Sequence, residues 1–302
     1  MALTFVQLAD ELSVVVGTGA SSSDDIRTSF KRWLNQAFRL IAYSYPWDDM
    51  RSEQRISTVA PYSTGTATFT LGSTTVTGSG TTWTAAMVGR KIALTQGAPY
   101  YRIATRVNNN EITVAEAYAE TTASGSAYVL YQDEYDLAAT THSIEDASLV
   151  TDAWTPPLRG YAQRQMDMAD YTGRTTGKPL AYGPCSSTTV GTPRVRFLPV
   201  PDAIYRVSFR YLKTWTDLSA DGDLYTTQGL PSDIEELALD RALRWAPKIE
   251  GSRRVMSDTA WADALRDVWR NYRRMRYPAG QRRGIGSGMP SHGIIVSTSG
   301  LT

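Results

Sequence analysis

The stretch Tyr100–Ala115, YYRIATRVNNNEITVA, decides how the middle of this chain is read. Two runs rich in β-prone residues flank three consecutive asparagines, and asparagine tolerates the left-handed backbone that a tight turn requires. A hairpin is predicted there. Outward from it, the segment from about Arg51 to Leu137 is dominated by Thr, Gly, Val, Tyr and Ala in short alternating runs. Gln54–Val59, Thr66–Leu71, Thr74–Thr77, Lys91–Leu94, Tyr100–Val107, Glu111–Ala115 and Ala127–Tyr131 are the predicted strands. So many short strands in so short a segment predict a compact antiparallel barrel or sandwich.

Helical periodicity brackets this segment on both sides. Thr4 with Gln7 has capping-box spacing, and Phe5, Leu8, Leu12 and Val15 recur at helical steps until Gly17 and Gly19. Ser21–Ser23, Asp24 and Asp25 supply a cap and first-turn acids for a second helix, whose apolar face is Ile26, Phe30, Trp33, Leu34, Ala37, Phe38 and Ile41 before Pro46 stops it. Beyond the β segment, residues 157–171 predict a helix. Arg194–Leu198 and Tyr205–Leu212 predict two strands joined as a hairpin through Pro199–Asp202. Pro231 with Ser232 and Glu235 opens a further helix that ends at Pro247. Ser257 caps a last helix with the stripe Trp261, Leu265, Val268, Trp269, Tyr272 and Met275.

These elements predict an α+β fold: a helical body built from both ends of the chain, a short β hairpin, and an inserted antiparallel barrel or sandwich. The expected boundaries are 1–50 with 138–277 for the body, 51–137 for the β module, and 278–302 for a Gly/Ser-rich arm that reads as flexible.

Composition narrows the function classes. Of 302 residues, 42% are hydrophobic and 20% charged. This is ordinary globular usage. Apolar runs are too short to span a bilayer and the first residues carry acids where a signal peptide carries bases, so a soluble protein made in the cytoplasm is expected. Cys185 is the only cysteine, and the two histidines, His142 and His292, lie far apart. Neither a disulfide nor a thiolate metal site is expected, and no cofactor is implied.

Catalytic patterns are weak. No nucleophile elbow accompanies any serine, and His142 reads as a surface histidine. Gly78–Gly80 and Gly284–Gly288 lack the strand, helix and lysine of a phosphate loop, and Asp221-Gly222-Asp223 lacks the spaced glutamate of a calcium loop. Asp133, Glu134 and Asp136 could supply the paired carboxylates of a glycosidase, but adjacent positions read more simply as a solvated turn. The expectation is a protein that is not an enzyme.

The basic residues near the carboxyl end are more informative. Arg266, Arg270, Arg273, Arg274 and Arg276 lie largely opposite the apolar stripe of the last helix, with Arg282 and Arg283 following. Such a ridge suits bidentate contact with carboxylates or phosphates, and a solvated helix face is the plain alternative. A formal net charge of +1 gives no broad phosphate-attracting field, which favours an acidic neighbouring subunit over DNA. In the arm, Ile294, Ile295 and Val296 form a β-prone, uncharged run that strand addition to a neighbour would bury.

Trp33–Trp47, WLNQAFRLIAYSYPW, together with Tyr205–Leu212 and the Leu230-Pro231 helix start, resembles the tailed-phage head-to-tail adaptors, a group that includes the tail tubular protein of T7-like phages and the portal-proximal tail accessory factor of P22-like phages. The stretches TTVTGSGTTW, GRKIAL, YYRIATRV and YVLYQDEYDL resemble a small β module that recurs in phage virion proteins. The resemblance implies a virion connector in the neck: a homo-oligomeric, dodecameric ring docked on the portal protein. It would offer its far face to a tail, nozzle or tail-tube protein and let genomic DNA pass through its lumen during ejection. It also implies that residues 278–302 reach onto the portal and that the β module decorates the ring or receives tail fibres. A competing reading is a carbohydrate-binding module of a tail fibre or spike, presenting Trp83, Tyr100 and Tyr101.

Overall fold

The computed structural model describes residues 2–16, 24–150, 156–170, 173–187, 191–245 and 255–276. Among these, no helix is long and apolar enough to cross a membrane. The α-helices of the described residues are, in chain order, α1 (Phe5–Val16), α2 (Asp24–Ser44), α3 (Gln163–Asp170), α4 (Glu235–Leu243) and α5 (Asp258–Arg276). The chain divides into two compact units, Met1–Asp49 with Trp215–Thr302, and Met50–Thr214.

In the first unit the predicted capping box closes α1 reciprocally. Thr4 N donates to Gln7 Oε1 at 2.9 Å, and Gln7 N donates to Thr4 Oγ1 at 3.4 Å. Phe5 N and Val6 N donate to the carbonyls of Asp223 and Asp221, so the 221–223 loop satisfies N–H groups that a helix start would otherwise leave unpaired. Phe5, Leu8, Leu12 and Val16 are buried, while Val15 is half-buried, because the core face follows the helical period one residue further. On α2, Phe30, Leu34, Ala37, Phe38 and Ile41 are buried as the sequence predicts, whereas Ile26 is exposed and Trp33 half-buried. The Ser21–Ser23 cap lies outside the described residues.

Aromatic rings knit the helices of this unit together. Phe38 stacks on Tyr225 with centroids 5.0 Å apart, and Tyr45 stacks on Trp269 at 4.9 Å. Buried indole N–H groups find backbone acceptors: Trp47 Nε1 donates to Ile41 O at 3.0 Å and Trp261 Nε1 to Leu237 O at 2.9 Å. Ser257 caps α5 through Ala260 N at 3.2 Å. Its buried stripe is Trp261, Leu265 and Tyr272. Met275, predicted to continue it, is 79% exposed. The helix that Pro231 opens begins as a short 3-10 turn, Ser232–Ile234, that runs into α4.

The second unit carries the strands: β1 (Arg51–Ser57), β2 (Thr66–Phe69), β3 (Thr75–Ser79), β4 (Lys91–Ala93), β5 (Tyr101–Asn108), β6 (Glu111–Val114), β7 (Ala123–Ser126) and β8 (Val129–Tyr131). Further along lie β9 (Glu134–Asp136), β10 (Thr141–Leu149), β11 (Arg159–Gly160), β12 (Thr176–Gly177), β13 (Ala181–Cys185), β14 (Arg194–Leu198), β15 (Val200–Pro201) and β16 (Arg206–Lys213). Seven of them form a curled, partly open sheet in the order β7-β2-β3-β6-β5-β4-β8. Its centre is the predicted hairpin, with β5 and β6 antiparallel around the asparagine turn. Asn108 Oδ1 accepts from Asn110 N at 2.8 Å. That bond closes the turn within its own residues. At the entry to β2, Gly65 has φ of +81°, and a Cβ there would meet the Ser79–Gly80 backbone. Only glycine fits both conditions.

Three smaller sheets complete the unit: β1-β16-β10, β11-β13-β14-β9 and the parallel pair β12-β15. They correct the sequence reading in several places. Residues 138–214, grouped in sequence with the helical body, carry β10 to β16, and β1 at the start of the unit pairs antiparallel with β16 at its end. The predicted hairpin between Arg194–Leu198 and Tyr205–Leu212 does not exist, because β14 pairs with β13 and β9 while β16 pairs with β1 and β10. The intervening prolines lack N–H donors. Val200 N donates to Thr175 O at 2.9 Å, away from either predicted partner. The helix predicted over 157–171 begins only at Gln163, since Arg159–Gly160 pairs with β13.

Candidate functional site

Two groups of charged residues are candidates, one in each unit. On α5, steps of four place Arg266, Arg270 and Arg274 along one exposed line. Arg266 pairs with Asp263 at 2.8 Å and Arg270 with Asp267 at 3.3 Å, both one helical turn away. Arg273 lies over the Trp269 ring at 5.0 Å, and Arg276 lies over Tyr272 at 4.9 Å while pairing with Asp49. Arg274 is exposed and has no ion-pair partner among the described residues. The ridge is therefore a mixed face in which acids and arginines alternate, with its cationic excess at the carboxyl end of the helix, where the helix dipole favours it. Arg282, Arg283, Ile294, Ile295 and Val296 lie outside the described residues.

The second group lies inside the β unit, where the sequence suggests a solvated turn. Asp133 is 1% exposed, and the Glu134 side chain is largely buried; of the three acids, Asp136 alone has a well-exposed side chain. Lys91 from β4 reaches Asp133 and Glu134, 2.9 Å from each. Arg102 from β5 reaches Glu134 at 2.8 Å, and Arg194 from β14 approaches Glu134 at 3.4 Å and Asp136 at 2.6 Å. Arg196 lies 3.1 Å from Asp133 and 3.2 Å from Asp167 of α3, and donates to the Asp170 carbonyl. Tyr100 covers Lys91, its ring centroid 4.4 Å from Nζ. The turn reading fails because charges are buried only when paired, and here each buried carboxylate meets cations from two or more elements.

The electrostatics of this cluster oppose the chemistry that paired carboxylates could perform. Burial alone would raise the Glu134 carboxyl, but Lys91 and Arg102 outweigh it and hold the group below the usual carboxylate range. A glycosidase acid needs the opposite shift. Burial would likewise lower Lys91, yet Asp133 and Glu134 hold its ammonium above the ordinary lysine range, which leaves it a poor nucleophile. Burial, then the negative charge of Glu134, pushes the Cys185 thiol up to about 12. Its thiolate is therefore scarce at neutral pH. Ion pairing is what these groups are arranged to do.

Sequence reasoning names the three acids and misses Lys91, Arg102, Arg194 and Arg196. A signal is present in RVRFL, where arginines alternate with Val195 and Phe197 on a strand whose neighbour carries the acids. Other candidates resolve simply. Trp83 is 0% exposed and donates to the Tyr128 hydroxyl at 3.0 Å, and Tyr101 is buried with its hydroxyl bound to Glu120 at 2.5 Å. Of the three aromatics considered for sugar stacking, Tyr100 alone is partly exposed. Asp221 pairs with Lys31, and Asp223 accepts from Ser219 N and Ala220 N at 2.7 and 2.8 Å. Among the described residues, no group of His, Cys, Asp or Glu is placed to hold a metal ion. No family model matches the chain, and no curated protein matches it significantly.

Proposed function

We propose that this chain is a structural subunit of a tailed-phage virion, a head-to-tail adaptor that assembles into a ring joining portal to tail and continuing the DNA channel. The observation that carries this reading is the unit formed by both ends of the chain. Its last helix bears the arginine ridge and leads directly into residues 277–302. A subunit that works through shared surfaces needs such a packed body and a charged face. The alternation of Asp263, Arg266, Asp267, Arg270 and Arg274 suits a protein partner of mixed charge better than a polyanion, since the acids would repel phosphate.

In this reading the curled sheet is a barrel-like or sandwich-like module that decorates the ring or receives fibres. The protein performs no bond-making step of its own. The carbohydrate-binding alternative loses its aromatic platform, because Trp83 and Tyr101 are core residues.

Co-sedimentation with portal protein tests the proposal. The full chain is expected to pellet with portal, and a chain lacking residues 279–302 to fold normally yet pellet weakly. A full chain that stays in the supernatant at physiological salt would refute the reading.

A further inference from the structure

Two apolar cores lie inside the β unit. One is confined to the curled sheet and its loops and includes Phe69, Val76, Trp83, Ile92, Ile112 and Leu130. The other belongs to the remaining sheets and includes Tyr135, Leu149, Val195, Phe197, Val207 and Phe209. They share no member. The chain enters the curled sheet through residues 58–62 and leaves it through 130–133, and the two passages run side by side. Tyr62 and Leu130 exchange backbone hydrogen bonds, each 2.8 Å long. The curled sheet thus has its own core and a neck of two adjacent chain segments bridged at Tyr62 and Leu130.

Charges make up most of the junction beside this neck, alongside a bond from Gln96 Nε2 to the Gly173 carbonyl and the packing of Tyr131 against Gly173. Both buried carboxylates bridge it: Asp133 joins Lys91 of the curled sheet to Arg196 of β14, and Glu134 joins Lys91 and Arg102 to Arg194. Asp133 Oδ1 is buried with no hydrogen-bond partner among the described protein residues.

We propose that the curled sheet is a hinged module that pivots on its two-segment neck, with Glu134 as the latch holding Lys91 and Arg102 of the module to Arg194 of the neighbouring sheet. The physical reason is an asymmetry between charge and grease. Opening an apolar joint exposes surface that water disfavours, whereas opening an ionic one returns desolvated charges to water and recovers hydration that the closed state gave up. With each core intact on its own side, the junction opens before either core does. This inference concerns motion within the β unit and stands or falls independently of the ring.

Amine acylation of Lys91, which is buried in the closed junction, tests it on the full-length chain at neutral pH, comparing wild type with Glu134→Gln and with the milder Arg102→Gln at a partly exposed position. Lys91 is expected to be acylated on the order of tenfold faster in the variants, while the amides of β3, β6 and β16 keep wild-type protection from hydrogen exchange. Should Glu134→Gln fail to fold, Arg102→Gln decides alone. Unchanged labelling of Lys91, or faster amide exchange spread equally over both cores, would overturn the hinge.

Discussion

The two units place their charges in opposite positions. In the helical unit Arg39 with Asp217, Arg266 with Asp263 and Arg270 with Asp267 pair on the outside with well-exposed side chains, and the interior is mainly aromatic and aliphatic, its buried Asp240 accepting a backbone bond from Met256 N in place of an ion pair. In the β unit, Lys91, Asp133 and Arg196 are buried, and apolar residues form separate clusters on either side of them. The same residue types therefore carry different consequences. An exposed pair contributes little because water screens it, while a buried pair, once broken, leaves a charge that water cannot reach. The helical unit is built to be continuous, and the β unit to be jointed.

Substitutions can break this contrast, and the largest effect is expected at its centre. Lys91→Met removes the cation that Asp133 and Glu134 share and leaves the buried Asp133 with Arg196 alone, so the β unit should lose about 3–5 kcal/mol in denaturant unfolding. A loss no greater than that of a surface substitution would show that the cluster is hydrated and the contrast is false. Next comes acid. The Glu134 carboxyl is held below its ordinary value of 4.5. Its contribution is therefore fully present above that ordinary value and disappears as pH falls through the lower, folded one. Thermal unfolding of the β unit should accordingly lose stability as acidification passes below the ordinary carboxylate range, and Glu134→Gln should flatten that slope. An identical slope in wild type and variant would assign the acid sensitivity elsewhere.

The smaller effects sharpen the comparison from the helical side. Thr4→Ala opens the capping box of α1 and should cost roughly 1 kcal/mol. Arg266→Ala breaks only a solvent-facing pair and should change stability by no more than about 0.5 kcal/mol. If chemical denaturation ranked these two the other way, the α5 ridge would belong to the packing of the unit instead of to its surface.

The parts legible in the sequence are those fixed by short-range pattern. Phe5, Leu8 and Leu12, or Trp261, Leu265 and Tyr272, mark a buried face because one helical period relates them, and the asparagine turn between β5 and β6 needs nothing outside its own residues. What the sequence conceals depends on distant partners. Arg194–Leu198 and Tyr205–Leu212 look like partners because they are adjacent in the chain, yet their hydrogen bonds go to β1, β9, β10 and β13. Thr141–Leu149 escapes detection, since an edge strand with His142, Glu145 and Asp146 on it lacks the apolar alternation of a core strand. Asp133 and Glu134 read as wet for the same reason. A carboxylate's burial is decided by the cations that meet it, and Lys91, Arg102, Arg194 and Arg196 arrive from three other strands.

As proposed, this chain acts by assembling with copies of itself and with a portal. Electron microscopy of the purified chain mixed with portal measures that most directly. The account predicts closed rings seated on the portal, lost when Arg270→Glu and Arg274→Glu are combined in a chain that still folds. Dispersed single copies of the wild-type chain beside bare portals would contradict it.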